Sequence, residues 1–451
     1  MGLVLFLLMA ALEITLAVVS CRTPAEKKVW RKNRLFVRLV QAALALCAIA
    51  LPLGQRWRLA PVIGLLALLA LGTAVLIVLR RSREEGDKRA SGAVGSCVLS
   101  IALIGAALVP AMIFTGYNGL PTSGEHAVAE TAVILIDAAR TDPFESDGSF
   151  REVPVHFYYP ADGGTQRYPL IVFSHGAFGY YQSNTSTYME LASNGYVVAS
   201  LDHPHHAFFT QDTDGQLVLA DRSFIQTALT LNEIDDSAAQ YALYRQWMTL
   251  RTADASFALD EIESTVHSGT PDASWYVDEA QRDALASVLN MTDVGAVGLM
   301  GHSMGGATAV ALGRARNDVS AVVDLDGTML GEYLGVENGE FVVNDAPYRV
   351  PVLDFNNWEA YSDIREYLAS GYPYPNAEVI RRAENGFSVG IRGSKHMDFT
   401  DLPLLSPFLG NLLGSGERGA EETMTIVNSV VLSFFNCYLK GEGVFTAQET
   451  Y

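Results

Sequence analysis

The chain has 451 residues, of which 49% are apolar and 18% charged, and its formal net charge at pH 7 is −19. Four cysteines in a chain of this length exclude a small disulfide-stapled fold, and the acidic balance argues against nucleic-acid binding because phosphates are repelled. The charge is unevenly divided, since residues 1–116 stand at +9 and residues 117–451 at −28. This predicts a membrane module over residues 1–117 and a second domain over residues 118–451 outside the bilayer.

Apolar runs in the first part have about the 20 residues that a helix needs to cross a bilayer. They are Gly2–Ser20, Leu35–Leu53, Leu59–Leu79 and Gly92–Tyr117. We therefore expect four transmembrane helices. Glu13 and Arg38 are the ionisable residues within these runs. We expect Arg38 to extend to the nearby interface and Glu13 to face the other helices.

The loops between these runs differ in basic charge, which predicts the orientation. The basic residues of the first and third loops are Arg22, Lys27, Lys28, Arg31, Lys32, Arg34, Arg80, Arg81, Arg83, Lys88 and Arg89. The positive-inside rule places both loops in the cytoplasm, so the N-terminus and the second domain are expected outside. A cleaved signal peptide over residues 1–21 is the alternative, which the missing basic n-region disfavours. The prediction is a multi-pass cell-membrane protein with an extracytoplasmic domain.

The second domain alternates short β-rich runs with helical stretches, a pattern typical of a mostly parallel sheet flanked by helices. The β-rich runs are Ala132–Ile136, Val153–Tyr159, Leu170–Phe173, Val197–Ser200, Val294–Met300, Ser320–Leu325, Val350–Phe355 and Phe387–Ile391. The stretch 206–290 is too long for a simple connection. Its amphipathic segments Tyr241–Trp247 and Phe257–Ile262 predict a helical cap over the sheet's C-terminal edge, with a disordered linker as the alternative.

The segment Gly301-His302-Ser303-Met304-Gly305 carries the first chemical signal. It follows the apolar run that ends at Met300 and opens a helical run to Arg316, which is the strand–turn–helix context of a nucleophile elbow. A G-x-S-x-G string alone is weak evidence; this context makes it specific. Ser303 is the candidate nucleophile, and the Met304 N–H is a candidate donor to an oxyanion.

A serine nucleophile needs a base and an acid, which follow it in the order Ser, acid, His in this fold. His396 is the one histidine after Ser303, and it lies just beyond a β-rich run. Asp326 lies at the tip of the run Ser320–Leu325, and Asp354 belongs to the next run. The spacing favours Asp326 and leaves Asp354 open.

A second oxyanion donor is expected after the third strand of the domain, where His175-Gly176 predicts a turn and Ala177 N–H is the candidate. Aromatic residues flank this presumed site, so Phe178 and Tyr180 are candidates for substrate contact, with packing in the core as the alternative. The cluster of His203, His205 and His206 suggests either a substrate mouth that includes His203 or plain loop packing. Metal binding is disfavoured, because no cysteine lies near and the spacing is not helical.

Several segments together resemble the plasma-type platelet-activating factor acetylhydrolases. They are Ile171–Gly176, Leu191–Ala199, Gly301–Thr308, Leu325-Asp326 and Arg392–His396. The resemblance implies an α/β-hydrolase fold, a calcium-independent serine esterase and Asp326 as the acid. It also implies Ala177 and Met304 as the backbone donors. The membrane module and the segment Asp202–His206 depart from the family pattern, which puts the physiological substrate in doubt.

These observations predict a membrane-anchored serine ester hydrolase that needs no cofactor or metal and acts through an acyl-enzyme. Its expected substrate is a phospholipid or other lipid acyl ester, and no obligate protein partner is inferred. One alternative is a polyester, xenobiotic or short-chain esterase with the same triad. The other is a catalytically inactive membrane sensor or partner-binding protein.

Overall fold

The computed structural model describes residues 2–23, 26–50, 56–79, 90–164, 166–271 and 274–451, apart from the side chains of residues 50 and 56. The chain forms two compact units. Unit 1 comprises Met1–Gly119 with Pro403–Leu412, and unit 2 comprises Leu120–Leu402 with Leu413–Tyr451. The basic residues predicted between the third and fourth apolar runs, at positions 80–89, lie outside the described residues.

Unit 1 contains long helices α1 to α4. They are α1 (Gly2–Arg22), α2 (Lys27–Ala50), α3 (Ala60–Leu79) and α4 (Ala90–Ile113). Among the described residues, three helices are long and apolar enough to cross a membrane, Gly2–Arg22, Trp57–Leu79 and Ala90–Ile113. The second expected span, Leu35–Leu53, is not among them. Helix α2 begins with a basic segment that lowers its hydropathy, and its apolar run continues into residues 51–53, beyond the described part.

The charged residues inside these helices pair with each other. Arg38 is fully buried and donates hydrogen bonds to Glu13, to Gln41 Oε1 (2.6 Å) and to Ser100 Oγ (2.7 Å). Arg34 also donates to Ser100 Oγ (2.8 Å). The expectation that Arg38 reaches the interface is therefore wrong, because a carboxylate from α1 satisfies it inside the helix bundle.

Unit 2 is built on a nine-stranded sheet with the strand order β13-β12-β9-β8-β3-β4-β2-β1-β7. The strands of unit 2 are β1 (Val128–Thr141), β2 (Phe150–Pro160), β3 (Tyr168–Ser174), β4 (Val197–Leu201), β5 (Phe209–Gln211), β6 (Leu217–Leu219), β7 (Trp275–Tyr276), β8 (Thr292–His302), β9 (Val319–Leu325), β10 (Tyr333–Glu337), β11 (Glu340–Val343), β12 (Val352–Asn357) and β13 (Gly386–Ile391). Strands β4, β3, β8, β9, β12 and β13 run parallel, while β1, β2 and β7 pair antiparallel. The two hairpins β5–β6 and β10–β11 lie outside the main sheet.

Helices cover both faces of this sheet. The remaining helices are α5 (Thr185–Ser193), α6 (Arg222–Leu229), α7 (Ser237–Ser268), α8 (Arg282–Met291), α9 (Met304–Ala315), α10 (Trp358–Ser370), α11 (Pro375–Arg382), α12 (Leu402–Leu405), α13 (Pro407–Leu412) and α14 (Ala420–Lys440). One core packs α7, α8 and α9 against the sheet, and the other packs α5 and α14 against its opposite face. The result is a three-layer α/β/α sandwich.

The predicted β-rich runs all fall on strands of the main sheet, which confirms the mostly parallel architecture. The insertion 206–290 is helical in its larger part, as expected. It is more than a cap, because α7 buries Ala258, Leu259 and Ile262 in the core against the sheet. The parallel strands β3, β8, β9 and β13 direct their C-terminal ends to one edge of the sheet, where ligand sites of such folds lie.

Candidate active site

Ser303 stands on a strained turn between β8 and α9. Its φ of +56° lies in the left-handed region that non-glycine residues rarely adopt. The turn is held by Ser303 N–H, which donates to the Leu325 carbonyl (2.8 Å). Gly305 allows α9 to pass the end of β3, because a Cβ there would overlap the Ser174 carbonyl. The turn thus presents the Ser303 hydroxyl beyond the strand end, as a nucleophile elbow does.

His396 and Asp326 meet beside this turn. His396 follows β13, Asp326 follows β9, and the His396 Nδ1–H donates to Asp326 Oδ2 (2.7 Å). The His396 ring lies 4.7 Å from the ring of His302, the residue before Ser303, and its side chain is 46% exposed. Ser303 Oγ forms no hydrogen bond within the described part of the chain. The imidazole is therefore fixed on one side by a carboxylate and open to solvent on the other.

Asp326 stays ionised because of its donors. Burial alone would raise the pKa of its carboxyl group, but hydrogen bonds and charge from His396 and the donors of Asn357 lower that pKa below its usual value. Asn357 donates from its backbone (2.6 Å) and from its side-chain amide (2.9 and 2.8 Å). The Asn357 side-chain oxygen caps α10, which fixes the orientation of the amide.

The neighbouring carboxyl groups do not compete for His396. Asp354, the alternative acid, is fully buried, and its Oδ1 accepts from Asn376 (3.0 Å). Burial raises the pKa of Asp354 to about 7. Asp324 is also fully buried, and burial together with the nearby Asp354 and Asp326 raises its pKa well above the usual value. Of the three, the structure brings Asp326 to the imidazole.

Two backbone amides belong to segments that meet at the Ser303 turn. Ala177 N–H and Met304 N–H, the predicted oxyanion donors, have no acceptor among the residues that the structure describes. Gly176 passes so close to the elbow that a Cβ there would lie 3.2 Å from Ser303 Cβ and 2.8 Å from His302 Nδ1. Only glycine at position 176 allows this approach.

A buried arginine orients the first of these amides. Arg251, on α7, is fully buried and donates to the carbonyls of His175 and Gly176, the second at 3.3 Å. His175 Nδ1 also donates to the Gly176 carbonyl (2.6 Å). In a trans peptide the C=O and the next N–H point in opposite directions. Holding the Gly176 carbonyl therefore turns Ala177 N–H away from Arg251.

Behind this loop lies a second, buried set of serine, histidine and aspartate. Ser174 Oγ hydrogen-bonds His203 Nε2 (2.7 Å), and His203 Nδ1 hydrogen-bonds Asp254 Oδ2 (3.1 Å). All three side chains are buried. Arg151 and Arg140 also donate to the Asp254 carboxylate. Burial lowers the pKa of Asp254's neighbour His203 to about 4, so this imidazole is neutral.

The three residues predicted to contact the substrate lie in different environments. Phe178 is half-buried in an apolar cluster with Phe224, Trp247, Ala177 and Met304, so it adjoins both candidate amides. Tyr180 is half-buried with its ring 5.2 Å from that of Phe209. His203 is fully buried, so its assignment to a substrate mouth is wrong. Its ring nitrogens are both engaged instead, one by Ser174 Oγ at the end of β3 and the other by Asp254 Oδ2 on α7.

The three clustered histidines point to different surroundings. His203 faces Ser174 and Asp254, His206 stacks on Phe224 (3.8 Å between centroids), and His205 stacks on Phe144 (4.5 Å). Among the described residues, no group of three or more His, Cys, Asp or Glu side chains is placed to hold a metal ion.

Sequence reasoning missed Arg251, Asp254 and Asn357. The first two carried a weak signal, because they lie three residues apart on a helix whose neighbours Ala255 and Ala258 face the core. A polar pair on an apolar face needs buried partners. The position of Asn357, between a strand and a helix, is typical of a helix cap, but this pattern does not indicate a contact with Asp326.

Comparison with known sequences finds a family and relatives that carry the same description. The family described as "Platelet-activating factor acetylhydrolase, isoform II" matches residues 148–447. Platelet-activating factor acetylhydrolase from Cavia porcellus is 23% identical over 304 residues, covering 64% of this chain and 61% of that protein. The protein of the same name from Bos taurus is 24% identical over 294 residues, covering 61% and 58%. The chain thus matches about three fifths of the length of these relatives.

Among solved structures, a ferulic acid esterase from Streptomyces cinnamoneus is similar to this chain. The TM-score is 0.52 at 20% sequence identity, and the match covers 73% of this chain and 95% of the esterase chain. At this identity the similarity concerns the fold, which is that of the α/β hydrolases.

Proposed function

Because the chain belongs to the platelet-activating factor acetylhydrolase, isoform II, family, we propose that it is a serine ester hydrolase whose catalytic residues are Ser303, His396 and Asp326. The observation that carries the proposal is the strained Ser303 turn beside the hydrogen-bonded pair of His396 and Asp326. Nucleophile, base and acid thereby follow the strand ends and the chain order that this fold uses.

In the proposed reaction His396 Nε2 takes the Ser303 proton as the hydroxyl oxygen attacks the ester carbonyl. The imidazolium that forms is stabilised by the adjacent Asp326 carboxylate, which also holds the correct tautomer through Nδ1. The contact between Ser303 and Nε2 forms in the substrate complex, where catalytic hydrogen bonds tighten. Collapse of the tetrahedral intermediate releases the alcohol, and water activated by His396 then hydrolyses the acyl-enzyme.

The oxyanion of that intermediate is assigned to Ala177 N–H and Met304 N–H. Support comes from the free state of both amides and from the close approach of Gly176 to Ser303. Met304 also begins α9, so the positive end of the helix dipole adds to the stabilisation of negative charge. Arg251 acts as a positioning residue by holding the Gly176 carbonyl.

The proposed substrates are acyl esters of lipids. Phe178 is half-buried beside the candidate Ala177 amide and packs on the buried Phe224 and Trp247, so its ring offers an apolar contact for an acyl chain. The apolar N-terminal helices are compatible with membrane anchoring, which would raise the concentration of lipid near the site. The −28 balance of residues 117–451 favours neutral or zwitterionic esters over anionic ones.

We further propose a multi-pass topology with the basic loops in the cytoplasm and unit 2 outside. It rests on the clustering of Lys and Arg between the apolar runs. A reporter fused after Tyr451 tests it. Activity of a periplasmic or extracellular reporter supports the topology, and activity confined to a cytoplasmic reporter refutes it.

The enzymatic proposal is tested by labelling with a fluorophosphonate probe, which reacts with activated serines. The full chain should be labelled, and Ser303→Ala should not. Labelling that persists in Ser303→Ala, or fails in a folded wild-type protein, refutes the assignment. A panel of short-chain nitrophenyl esters, a zwitterionic phospholipid with a short acyl chain and a feruloyl ester then separates the substrate classes.

A further inference from the structure

Unit 1 contains a cavity that ester hydrolysis does not use. It has a volume of about 550 Å³ and lies among α2, α3 and α4. Its lining residues are Lys27, Trp30, Arg31, Arg34, Arg38, Leu68, Leu69, Gly72, Thr73, Leu76 and Ser96. The size falls in the range of sites that bind small molecules.

One wall of the cavity is basic. Lys27, Arg31, Arg34 and Arg38 follow one another at helical spacings of four, three and four residues, so they form one stripe along α2. The described lining contains no acidic side chain. Lys28 and Lys32, by contrast, are exposed on another face of the helix.

The deepest group of this stripe retains an unused donor. Arg38 is fully buried, and although its Nη atoms bond to Glu13, Gln41 and Ser100, its buried Nε has no partner among the described residues. A buried N–H without an acceptor is costly. A lipid that enters the cavity would bring the ester oxygens below its headgroup to this end of the stripe as acceptors.

The opposite wall is apolar. Leu68 and Leu76 line the cavity from α3 and are 70% and 42% exposed. In a helix that crosses a membrane such side chains face acyl chains. A basic wall beside an exposed apolar wall suits an amphiphile with an anionic headgroup. Free phosphate would contact the basic wall alone.

We propose that this cavity binds the phosphate-bearing headgroup of an anionic phospholipid, in the leaflet on the side of the basic loops. The headgroup phosphate lies against Lys27, Arg31 and Arg34, and the acyl chains run along Leu68 and Leu76. The site rests on membrane insertion of unit 1 and is independent of Ser303. A failed lipid-binding test therefore leaves the esterase proposal intact.

The test uses the delipidated full chain in neutral detergent, with the thermal midpoint and native mass spectrometry as readouts. Dioleoylphosphatidylglycerol should bind about tenfold more tightly than dioleoylphosphatidylcholine, and millimolar inorganic phosphate should not reproduce its effect. Lys27→Gln/Arg31→Gln should weaken phosphatidylglycerol binding about tenfold. The charge-matched Lys28→Gln/Lys32→Gln should leave it within about twofold. Equal losses in both variants, equal binding of the two lipids, or an equal effect of phosphate overturns the proposal.

A second pair of variants keeps all charges. Gly72 lines the cavity and Gly64 does not. At either position an added Cβ would meet no atom within 4 Å. Gly72→Leu should therefore fill the cavity and weaken phosphatidylglycerol binding, while Gly64→Leu should not. Unchanged binding in Gly72→Leu overturns the site even if the charge variants fail to fold.

Discussion

Unit 2 holds two sets of serine, histidine and aspartate that share a hydrogen bond from histidine Nδ1 to aspartate but differ in burial and in backbone strain. In one, Ser303 stands on a strained turn and His396 is 46% exposed. In the other, Ser174, His203 and Asp254 are buried within regular hydrogen bonds. The first set is open to solvent at the His396 ring, and the second is enclosed in the interior of unit 2.

The carboxylates of the two sets also have different partners. Asp254 accepts from Arg151 and Arg140, so its charge is already compensated, and burial lowers the pKa of His203 so that its imidazole stays neutral. Asp326 accepts from His396 and the neutral donors of Asn357. Its charge is thus available to stabilise an imidazolium. Residue type alone does not make a catalytic site; exposure, strain and neighbouring charge decide the difference.

The serines should give the largest contrast. Ser303→Ala should lower kcat/KM at least about 10⁴-fold, because it removes the nucleophile. Ser174→Ala removes one buried hydrogen bond and should lower stability by about 1 kcal/mol while keeping kcat/KM within about tenfold. Ester hydrolysis and urea unfolding measure both effects. Comparable activity losses in two folded variants would contradict the assignment of separate roles.

Substitution of the two carboxylates should affect different properties, activity for Asp326 and stability for Asp254. Asp326→Asn should lower kcat by roughly 10⁴-fold, because the imidazole loses its charged partner, at a cost of about 1–2 kcal/mol of unfolding free energy for the lost carboxylate. Asp254→Asn should instead cost roughly 3–5 kcal/mol of unfolding free energy, because Arg151 is left buried without its carboxylate. Calorimetry and initial rates on both variants provide the measurement. An Asp254→Asn protein that is stable but inactive would contradict the structural role assigned to Asp254.

The grouping of Ser303, His396 and Asp326 was accessible to prediction, and the residues that surround it were not. Ser303 and His396 were found because the elbow has a local pattern and the fold fixes the order of its partners. The buried set was not, because Ser174, His203 and Asp254 come from three distant segments that tertiary packing joins. His203 was misassigned for the same reason, since nothing in Asp202–His206 reveals that its ring is enclosed.

The same distinction holds for the fold. The β-rich runs predicted the main sheet because strands buried on both faces leave a continuous apolar pattern. The burial of Arg38 was missed, because its partners Glu13 and Ser100 lie on other helices. The spacing favoured Asp326 over Asp354 and the family resemblance strengthened that preference, to which the contact with His396 gives a geometric basis.

Arg251 touches neither set directly but holds the carbonyls of His175 and Gly176 between them, so its loss should have an intermediate effect. Arg251→Met should lower kcat roughly 10–100-fold with little change in KM, because the freed Gly176 peptide no longer directs Ala177 N–H toward the oxyanion. Arg251→Lys should recover part of the loss. The matched control is Arg245→Met, which removes an exposed arginine from the same helix and should be neutral. A change in KM alone would contradict the positioning role.

Asn357 should give the smallest effect, visible mainly in its dependence on pH. Asn357→Asp keeps an oxygen to cap α10 but places a second carboxylate beside Asp326, so the pKa of Asp326 should rise. In the wild type that pKa is lowered, so the stability it provides is present above the unfolded value of about 3.9 and lost as pH falls through the folded value.

Acid unfolding of Asn357→Asp should therefore begin at higher pH than that of the wild type, and kcat/KM near neutral pH should fall about tenfold, roughly 1.4 kcal/mol of transition-state stabilisation. Asn357→Ser keeps a cap and adds no charge, so its acid transition should move less. Urea unfolding between pH 3 and 8 provides the measurement. An unchanged transition in Asn357→Asp would mean that Asp326 does not depend on these donors, and the contrast with the arginine-held Asp254 would then lose its electrostatic basis.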